Sequence, residues 1–254
     1  MFTYGVSQLE LKQRYKYRLV LDESYSFGIV GRTGRGLTEL YNVPATSIDM
    51  LVGSLANGLC ATGGFCAGSK VVVDHQRINS TSFVFSAAMP ALLAVSASMA
   101  IEILTGQPSV FESLRENVQA VRSTLCGVEG IEILSHPVSA IVHIALKSGP
   151  APSNLLSVPM HTRGSSRSNP ASVVSANAAT FDWKTEEKIL QEVVDEALDA
   201  GVLITRAKKL RGQELVEVRP TIRLAISSAL TKKETETAAA AVRTAFVKVL
   251  SSRR

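Results

Sequence analysis

Carboxylates and glycines follow two short apolar runs near the start of the chain. The acidic pair Asp22 and Glu23 comes directly at the end of the run RLVLD (18–22), and the glycine pair Gly63 and Gly64 closes the stretch that begins at 48. A buried strand that ends in an acidic residue places a carboxylate at the edge of a sheet, where α/β proteins bind their ligands. The pattern therefore predicts an α/β fold and makes Asp22 a candidate site residue.

A second glycine-rich segment, from Gly28 to Gly36, contains the spacing GxxGxG at 31–36. Such spacing is compatible with a phosphate-binding loop. However, no helix that opens with a Lys-Ser or Lys-Thr pair follows it, and a phosphate-binding loop of that class requires one. We therefore interpret this segment as a structural loop.

The two stretches together resemble the α-oxoamine synthases, a family of fold-type I enzymes that use pyridoxal phosphate (PLP). The family motif of the first stretch is matched by Asp22-Glu23-Ser24-Tyr25 and by Gly34-Arg35-Gly36, and that of the second by 49–65. In this alignment Asn57 occupies the position of the family's Schiff-base lysine. The resemblance implies the C-terminal part of such a transferase.

The chemistry of PLP makes the residue at position 57 decisive. The cofactor is an electron sink that needs a lysine amine, an acid facing its pyridine nitrogen and ligands for its phosphate. An asparagine amide is not a nucleophilic amine and cannot form an imine. By resemblance Asp22 is the pyridine-facing acid, while Tyr25 replaces the family's ring-stacking histidine and can stack but cannot shuttle protons near neutral pH. Lys70, the nearest lysine, is expected to be a surface residue.

Two further runs narrow the resemblance to the lysine-less subunits of eukaryotic serine palmitoyltransferase. These are the DHQR run at 74–77 and the FVFSA run at 83–87, and the similarity extends over about residues 10–147 and more loosely over 181–250. It implies that Ser86 donates its hydroxyl to the PLP phosphate of a partner subunit. We expect no catalytic residue in this chain and PLP bound mainly by the partner.

A third stretch near the C terminus, TIRLAISSALT at 221–231, resembles the family segment that carries a substrate-binding arginine. Arg223 matches that arginine, and a planar guanidinium suits bidentate capture of a carboxylate. The alternative is a strand-face arginine paired with a neighbouring carboxylate. Leu230 replaces the family's histidine in this motif, which argues against catalysis.

The composition sets limits on the remaining classes of function. The net charge of +5 is modest, with no basic run containing interleaved aromatic residues, so a nucleic-acid partner is not expected. The 3 cysteines and 4 histidines lack metal-ligand spacing, so we predict no metal site and reduced, buried thiols. No apolar run reaches the ~20 residues of a membrane span, and the first residues lack the apolar core of a signal peptide.

The hydrophobic periodicity predicts the elements and the domains. A partial large-domain sheet is expected in 1–105, a linking helix in 106–126 and a small α+β domain in 127–254, with a polar insertion at about 148–180. The large domain should contain a buried strand at 18–22, strands at 50–54 and 64–69 joined by a turn at Asn57, and a packed helix at 91–104. The small domain should have three strands and two helices. The chain is expected to be N-terminally incomplete relative to the family.

The resemblance leads to a functional hypothesis. It implies a non-catalytic subunit that forms a heterodimer with a lysine-bearing subunit and supports the condensation of serine with palmitoyl-CoA in sphingolipid biosynthesis, on the cytosolic face of the endoplasmic reticulum membrane. Two alternatives remain open: an active homodimeric PLP-dependent acyltransferase that recruits another lysine, and a non-functional fragment.

Overall fold

The computed structural model describes residues 5–147, 183–208 and 218–253, so the insertion expected at 148–180 lies outside the described residues. The chain divides into two compact units, which are described separately. The first comprises Met1–Cys126, Ser135–Val142 and Ala225–Ala239, and the second comprises Gly127–Leu134, His143–Leu224 and Ala240–Arg254. The domain bounds expected from the sequence stay a prediction.

The first unit contains a three-stranded sheet with helices before, between and after its strands. The strands are β1 (Val20–Asp22), β2 (Met50–Ser54) and β3 (Gly64–Gly68), in the order β1-β2-β3, with β1 and β2 parallel and β2 and β3 antiparallel. The helices are α1 (Gly5–Tyr15), α2 (Leu37–Leu40), α3 (Leu55–Leu59), α4 (Lys70–Asn79), α5 (Thr81–Val84), α6 (Ala91–Gly106) and α7 (Ser109–Leu125).

Asp49 joins α1 to the start of the sheet. Its carboxylate lies 2.7 Å from Nζ of Lys12 and 3.3 Å from a guanidinium nitrogen of Arg18, and it accepts a hydrogen bond of 2.9 Å from the backbone N–H of Leu19. The hydrogen bond from Lys12, followed by that from Leu19, lowers the pKa of Asp49 to about 2. This carboxylate therefore fixes the entry of the chain into β1.

The second sheet has four strands, whereas the sequence predicted three. These are β4 (Ile131–Ile133), β5 (Ile141–Leu146), β6 (Thr205–Arg206) and β7 (Ile222–Ala225), in the order β4-β5-β7-β6, accompanied by the helices α8 (Trp183–Asp199) and α9 (Lys232–Ser251). In the second unit Ile144, Leu190, Val193, Ile222 and Phe246 are fully buried. Strand β6 is short, and its two residues pair with β7, Thr205 with Arg223 and Arg206 with Ile222.

The structure corrects three further expectations. The strand at 18–22 was expected to be buried, but β1 is an edge strand of the described sheet, and both Val20 and Asp22 are exposed. The segment at Asn57 is a short helix, α3, and not a turn. Cys60 and Cys126 are free thiols but exposed, not buried.

Helix α6 was expected to be packed on account of its small residues, and this was wrong for most of its surface. Ala97, Ala100 and Leu104 contact an apolar cluster that includes Leu55 and Leu59 of α3. On another face Leu92, Val95 and Met99 are 78%, 64% and 55% exposed. Small residues allow close approach on one side of a helix, but they do not determine how much of its circumference is covered.

Candidate functional site

The candidate site is built on the turn that follows β1, at residues 22–27. The backbone N–H of Glu23 donates to the carbonyl of Val52 in β2 at 2.7 Å, which continues the pairing of the two strands by one residue. The carbonyl of Glu23 then accepts from the N–H groups of Ser26 and Phe27 at 3.0 and 2.9 Å. The chain thus turns sharply at the edge of the sheet, as expected for a site in an α/β fold.

The two members of the acidic pair have different environments. Glu23 is fully buried, and its carboxylate accepts hydrogen bonds from the hydroxyl of Ser26 and, at 3.0 Å, from the N–H of Leu37. A Cβ on Gly36 would lie 2.4 Å from this carboxylate, so only glycine fits there. Glu23 is therefore a structural brace that closes the glycine-rich loop onto the turn. The sequence did not predict this role, because it shows only that Glu23 follows Asp22.

Asp22, the expected pyridine-facing acid, is exposed at the edge of the sheet. A side-chain hydrogen bond from Ser24, followed by one from the N–H of Ser24 at 2.8 Å, lowers the pKa of Asp22. The carboxylate is consequently ionised at neutral pH and available to a cationic ligand group. Tyr25 lies three residues further on and is 58% exposed, so its ring is accessible for stacking.

Asn57 lies in α3 and contacts this turn directly. Its Nδ2 donates a hydrogen bond of 2.7 Å to the carbonyl of Ser24. The structure therefore brings Asn57 together with the segment that carries Asp22 and Tyr25, and the roles expected of these residues stay predictions. The side chain at position 57 is an amide that serves as a hydrogen-bond donor. It has no nucleophilic amine and therefore does not fit a covalent link to PLP.

Helix α3 is anchored closely to the same turn. The hydroxyl of Ser54 caps its N terminus by accepting from the N–H of Ala56 at 3.1 Å, and Cys60 ends it in a left-handed conformation with φ of 50°. A Cβ on Gly58 would lie 2.5 Å from the carbonyl oxygen of Phe27 and 2.9 Å from Cα of Gly28. This backbone contact, together with the edge-to-face pair of Phe27 and Phe65 at 4.9 Å, fixes the position of Asn57.

The glycine-rich loop does not present a phosphate site. Glu39 of α2 accepts from the N–H of Thr33 at 3.1 and 3.0 Å to its two oxygens, from the Thr33 hydroxyl at 2.9 Å and from the N–H of Arg35 at 3.1 Å. Burial raises the pKa of Glu39, but the hydrogen bonds from Thr33 and Arg35 outweigh it and the pKa is lowered overall. The loop is structural, as interpreted from the sequence, because the chain's own carboxylate occupies its donors.

Ser86 lies in the exposed segment 85–90, between α5 and α6. It adopts a left-handed backbone conformation with φ of 57°, and its N–H donates to the carbonyl of Phe83 at 3.2 Å. Among the described residues no hydrogen bond joins Ser86 to Asp22, Tyr25 or Asn57. Non-glycine residues in this region of φ and ψ carry strain and often mark functional positions.

Arg223 belongs to the second unit, where it lies on β7 opposite Thr205 of β6. The neighbouring Ile222 and Leu224 are buried, so Arg223 is on the exposed face of the strand. Within the described part of the chain no carboxylate forms an ion pair with Arg223. The alternative interpretation, an arginine paired with a neighbouring carboxylate, therefore has no partner among the described acidic residues. Lys70 is the exposed first residue of α4, as expected for a surface lysine.

Among residues 5–147, 183–208 and 218–253, no set of three or more His, Cys, Asp or Glu side chains is arranged to hold a metal ion. In the same residues no single helix has the length and apolar character to cross a bilayer, although α6 and α7 satisfy these criteria as a pair bent by 83°.

The chain is similar to serine palmitoyltransferase 1 of two organisms and to a long chain base biosynthesis protein. It is 37% identical over 230 residues to serine palmitoyltransferase 1 of Dictyostelium discoideum, covering 89% of this chain and 42% of the relative. It is 32% identical over 247 residues to serine palmitoyltransferase 1 of Saccharomyces cerevisiae, covering 92% and 43%. It is 45% identical over 140 residues to long chain base biosynthesis protein 1b of Oryza sativa subsp. japonica, covering 55% and 29%. The chain thus spans at most about two fifths of the length of these relatives.

Solved structures show the same fold at low sequence identity. A serine palmitoyltransferase with a PLP internal aldimine has a TM-score of 0.71 at 18% identity, covering 96% of this chain and 51% of that one. The 8-amino-7-oxononanoate synthase of Francisella tularensis has a TM-score of 0.65 at 14% identity, covering 96% and 59%. The expected fold, part of a fold-type I PLP-dependent transferase, is therefore confirmed. The family model described as aminotransferase class I and II matches residues 6–242, and the chain belongs to that family.

Proposed function

We propose that this chain is a non-catalytic subunit of serine C-palmitoyltransferase. It would pair with a lysine-bearing subunit and support the PLP-dependent condensation of serine with palmitoyl-CoA in sphingolipid biosynthesis. The observation that carries the proposal is the amide of Asn57 at the Schiff-base position, engaged with the carbonyl of Ser24 at 2.7 Å. The names of the relatives in Dictyostelium and yeast support the choice of reaction.

The division of labour follows from the side chains. A covalent link to the cofactor needs an amine, which position 57 lacks, so PLP is bound mainly by the partner. In this proposal Asp22 and Tyr25 retain a site that accepts the cofactor ring without bonding to it, and Arg223 binds the serine carboxylate. The complex would act at the cytosolic face of the endoplasmic reticulum membrane.

Ser86 is the residue proposed to act on the partner's cofactor. It lies in an exposed segment and has a left-handed backbone conformation. Helix α6 follows this segment in the chain and has an exposed apolar face that includes Leu92, Val95 and Met99. An exposed hydroxyl on a strained backbone, next to an apolar surface, is well suited to contact a second subunit. A hydrogen bond to a phosphate is charge-assisted and stronger than one between neutral groups.

The proposal is tested by co-expression with a lysine-bearing serine palmitoyltransferase subunit. We expect the two chains to co-purify, the condensation of serine with palmitoyl-CoA to require both, and a borohydride-reduced pyridoxyl adduct to form on the partner only. A specific adduct on this chain alone, at Lys70 or another lysine, would contradict the proposal and favour an active homodimer. Absence of any complex would favour a non-functional fragment.

The contact of Ser86 is tested in the same complex with Ser86→Ala. Loss of one charge-assisted hydrogen bond, about 1.5–3 kcal/mol, should weaken PLP binding roughly tenfold to a hundredfold. Ser82→Ala is the matched control, because Ser82 is also exposed and lies four residues away in α5. Cofactor affinity is measured by equilibrium titration of the absorbance band. Equal affinities in the two variants would remove Ser86 from the site.

A further inference from the structure

The two ends of the Asn57 hydrogen bond belong to segments that are held in different ways. Helix α3 has only five residues, too few for a helix to be stable by itself, so its position depends on tertiary contacts. Leu55 and Leu59, one helical turn apart, are both buried in the apolar cluster. Asn57 lies between them in sequence and is exposed, so it is on the opposite face of the helix and is presented by a fixed support.

The turn at 22–25 lacks an equivalent support at its tip. The carbonyl of Glu23 accepts two backbone hydrogen bonds, from Ser26 and Phe27. The carbonyl of Ser24 accepts no backbone hydrogen bond among the described residues, and its donor there is Nδ2 of Asn57. This contact joins residues that are 33 positions apart in the chain, so it ties the tip of the turn to α3.

We propose that Asn57 is a positioning residue whose amide fixes the Ser24–Tyr25 peptide, and with it the direction in which Asp22 and Tyr25 leave the turn. The position that carries the reactive amine in α-oxoamine synthases thus has a different task in this chain. The donor is a side-chain amide N–H that points at a carbonyl. An alanine side chain has no hydrogen-bond donor, and the oxygens of an ionised carboxylate only accept hydrogen bonds, so neither side chain can replace it. Both ends of this hydrogen bond lie within the chain, so the contact does not depend on pairing with a second subunit.

Hydrogen exchange of the purified chain, read by mass spectrometry, tests the proposal locally. The amides of Ser26 and Phe27 donate to the carbonyl of Glu23, and those of Ile29 and Val30, just after the turn, donate to the carbonyl of Ser26. These four amides report the opening of the turn. At neutral pH we expect Asn57→Asp, which is nearly isosteric but lacks the donor, to accelerate their exchange about threefold to tenfold, the loss of one ordinary hydrogen bond. Amides of α9 should keep their exchange rates.

Asn79→Asp is the matched control. The Nδ2 of Asn79 also donates to a backbone carbonyl, that of His75 at 2.9 Å, but within a single helix. It should leave the turn amides unchanged. Asn57→Ala removes the donor without adding charge and is the second variant, so that the test does not rest on one protein. Turn amides that exchange as in the unaltered chain in both Asn57 variants, or acceleration spread evenly over α9, would overturn the proposal.

The pH profile separates a lost donor from a merely disturbed structure. A carboxyl group introduced by Asn57→Asp regains an O–H donor when it is protonated. After correction for intrinsic exchange, the excess rate of Asn57→Asp should therefore shrink as the pH falls below about 4, the ordinary range for an aspartic acid. That of Asn57→Ala should persist. A pH-independent excess in Asn57→Asp would overturn the assignment of a donor role.

Discussion

Adjacent carboxylates in this chain have separate tasks. Asp22 is exposed and ionised beside the turn, whereas Glu23 is fully buried and braces the loop through Ser26 and Leu37. Burial of an unpaired carboxylate is costly, and the hydrogen bonds to Glu23 offset that cost. The sequence made Asp22 a candidate site residue, which stays a prediction. The role of Glu23 depends on Gly36 and Leu37, and sequence spacing alone does not reveal that contact.

Asp49 gives a prediction on pH. Its pKa of about 2 in the folded chain lies below the ordinary value of 3.8, so the ionised form favours folding. The stabilisation is fully present above pH ~4 and is lost as the pH falls through about 2. Lys12→Met removes the hydrogen bond that contributes most to lowering the pKa of Asp49. We expect it to lower the midpoint of urea unfolding at pH 7, with the difference from the unaltered chain narrowing steadily between pH 4 and pH 2.

Circular dichroism at a series of pH values provides the measurement for Asp49. Lys188→Met is the control, because Lys188 is an exposed residue of α8. It should leave the midpoint nearly unchanged at every pH, as expected for a surface site. If the Lys12→Met difference were the same at pH 7 and pH 2, the ion pair with Asp49 would not be its source.

Among the elements, α3 departs furthest from the sequence expectation. Its residues LANGL include asparagine and glycine, which have poor helix propensity, and the segment was expected to be a turn. The helix forms because Ser54 caps it and because Leu55 and Leu59 are buried. The longer helices α7, α8 and α9 were predictable because their apolar periodicity extends over three turns or more.

Because of the close approach at Gly58, we expect alanine substitution to change stability in opposite directions at Gly58 and Gly106. Alanine in a helix normally stabilises by about 0.5–1 kcal/mol relative to glycine. Gly58→Ala should instead destabilise by about 1–3 kcal/mol, because its Cβ would lie 2.5 Å from the backbone oxygen of Phe27. Gly106→Ala, where a Cβ would meet nothing within 4 Å, should be neutral or stabilising. Urea unfolding of both variants provides the measurement, and a stabilising Gly58→Ala would refute the contact.

At the scale of the whole molecule, the exposed apolar surface of α6 needs an explanation. Leu92, Val95 and Met99 are spaced at three and four residues and form one stripe, while Ala97, Ala100 and Leu104 pack on the cluster. An apolar surface of this kind usually marks an interaction site. Composition indicated that the helix would be apolar, but which side would be covered depends on elements that a single-chain pattern does not specify.

The proposed heterodimer makes this stripe a testable contact. The double substitution Leu92→Glu with Val95→Glu should weaken association with the lysine-bearing subunit by more than tenfold, because two charges would lose their hydration in the interface. It should cost the isolated chain little stability, since both side chains are already exposed. Analytical ultracentrifugation measures the association. Val247→Glu, on an exposed position of α9, is the control, and equal weakening by both changes would place the contact elsewhere.

The carboxylate of Glu39 affects how the glycine-rich loop can interact with free phosphate groups. Because Glu39 is attached to the chain six residues from Thr33, it competes as an intramolecular ligand, with an effective concentration in the millimolar range or above. A soluble nucleotide would have to displace this tethered anion and overcome its charge repulsion. The tethered carboxylate thereby disfavours the binding of free phosphate groups at the donors of Thr33 and Arg35.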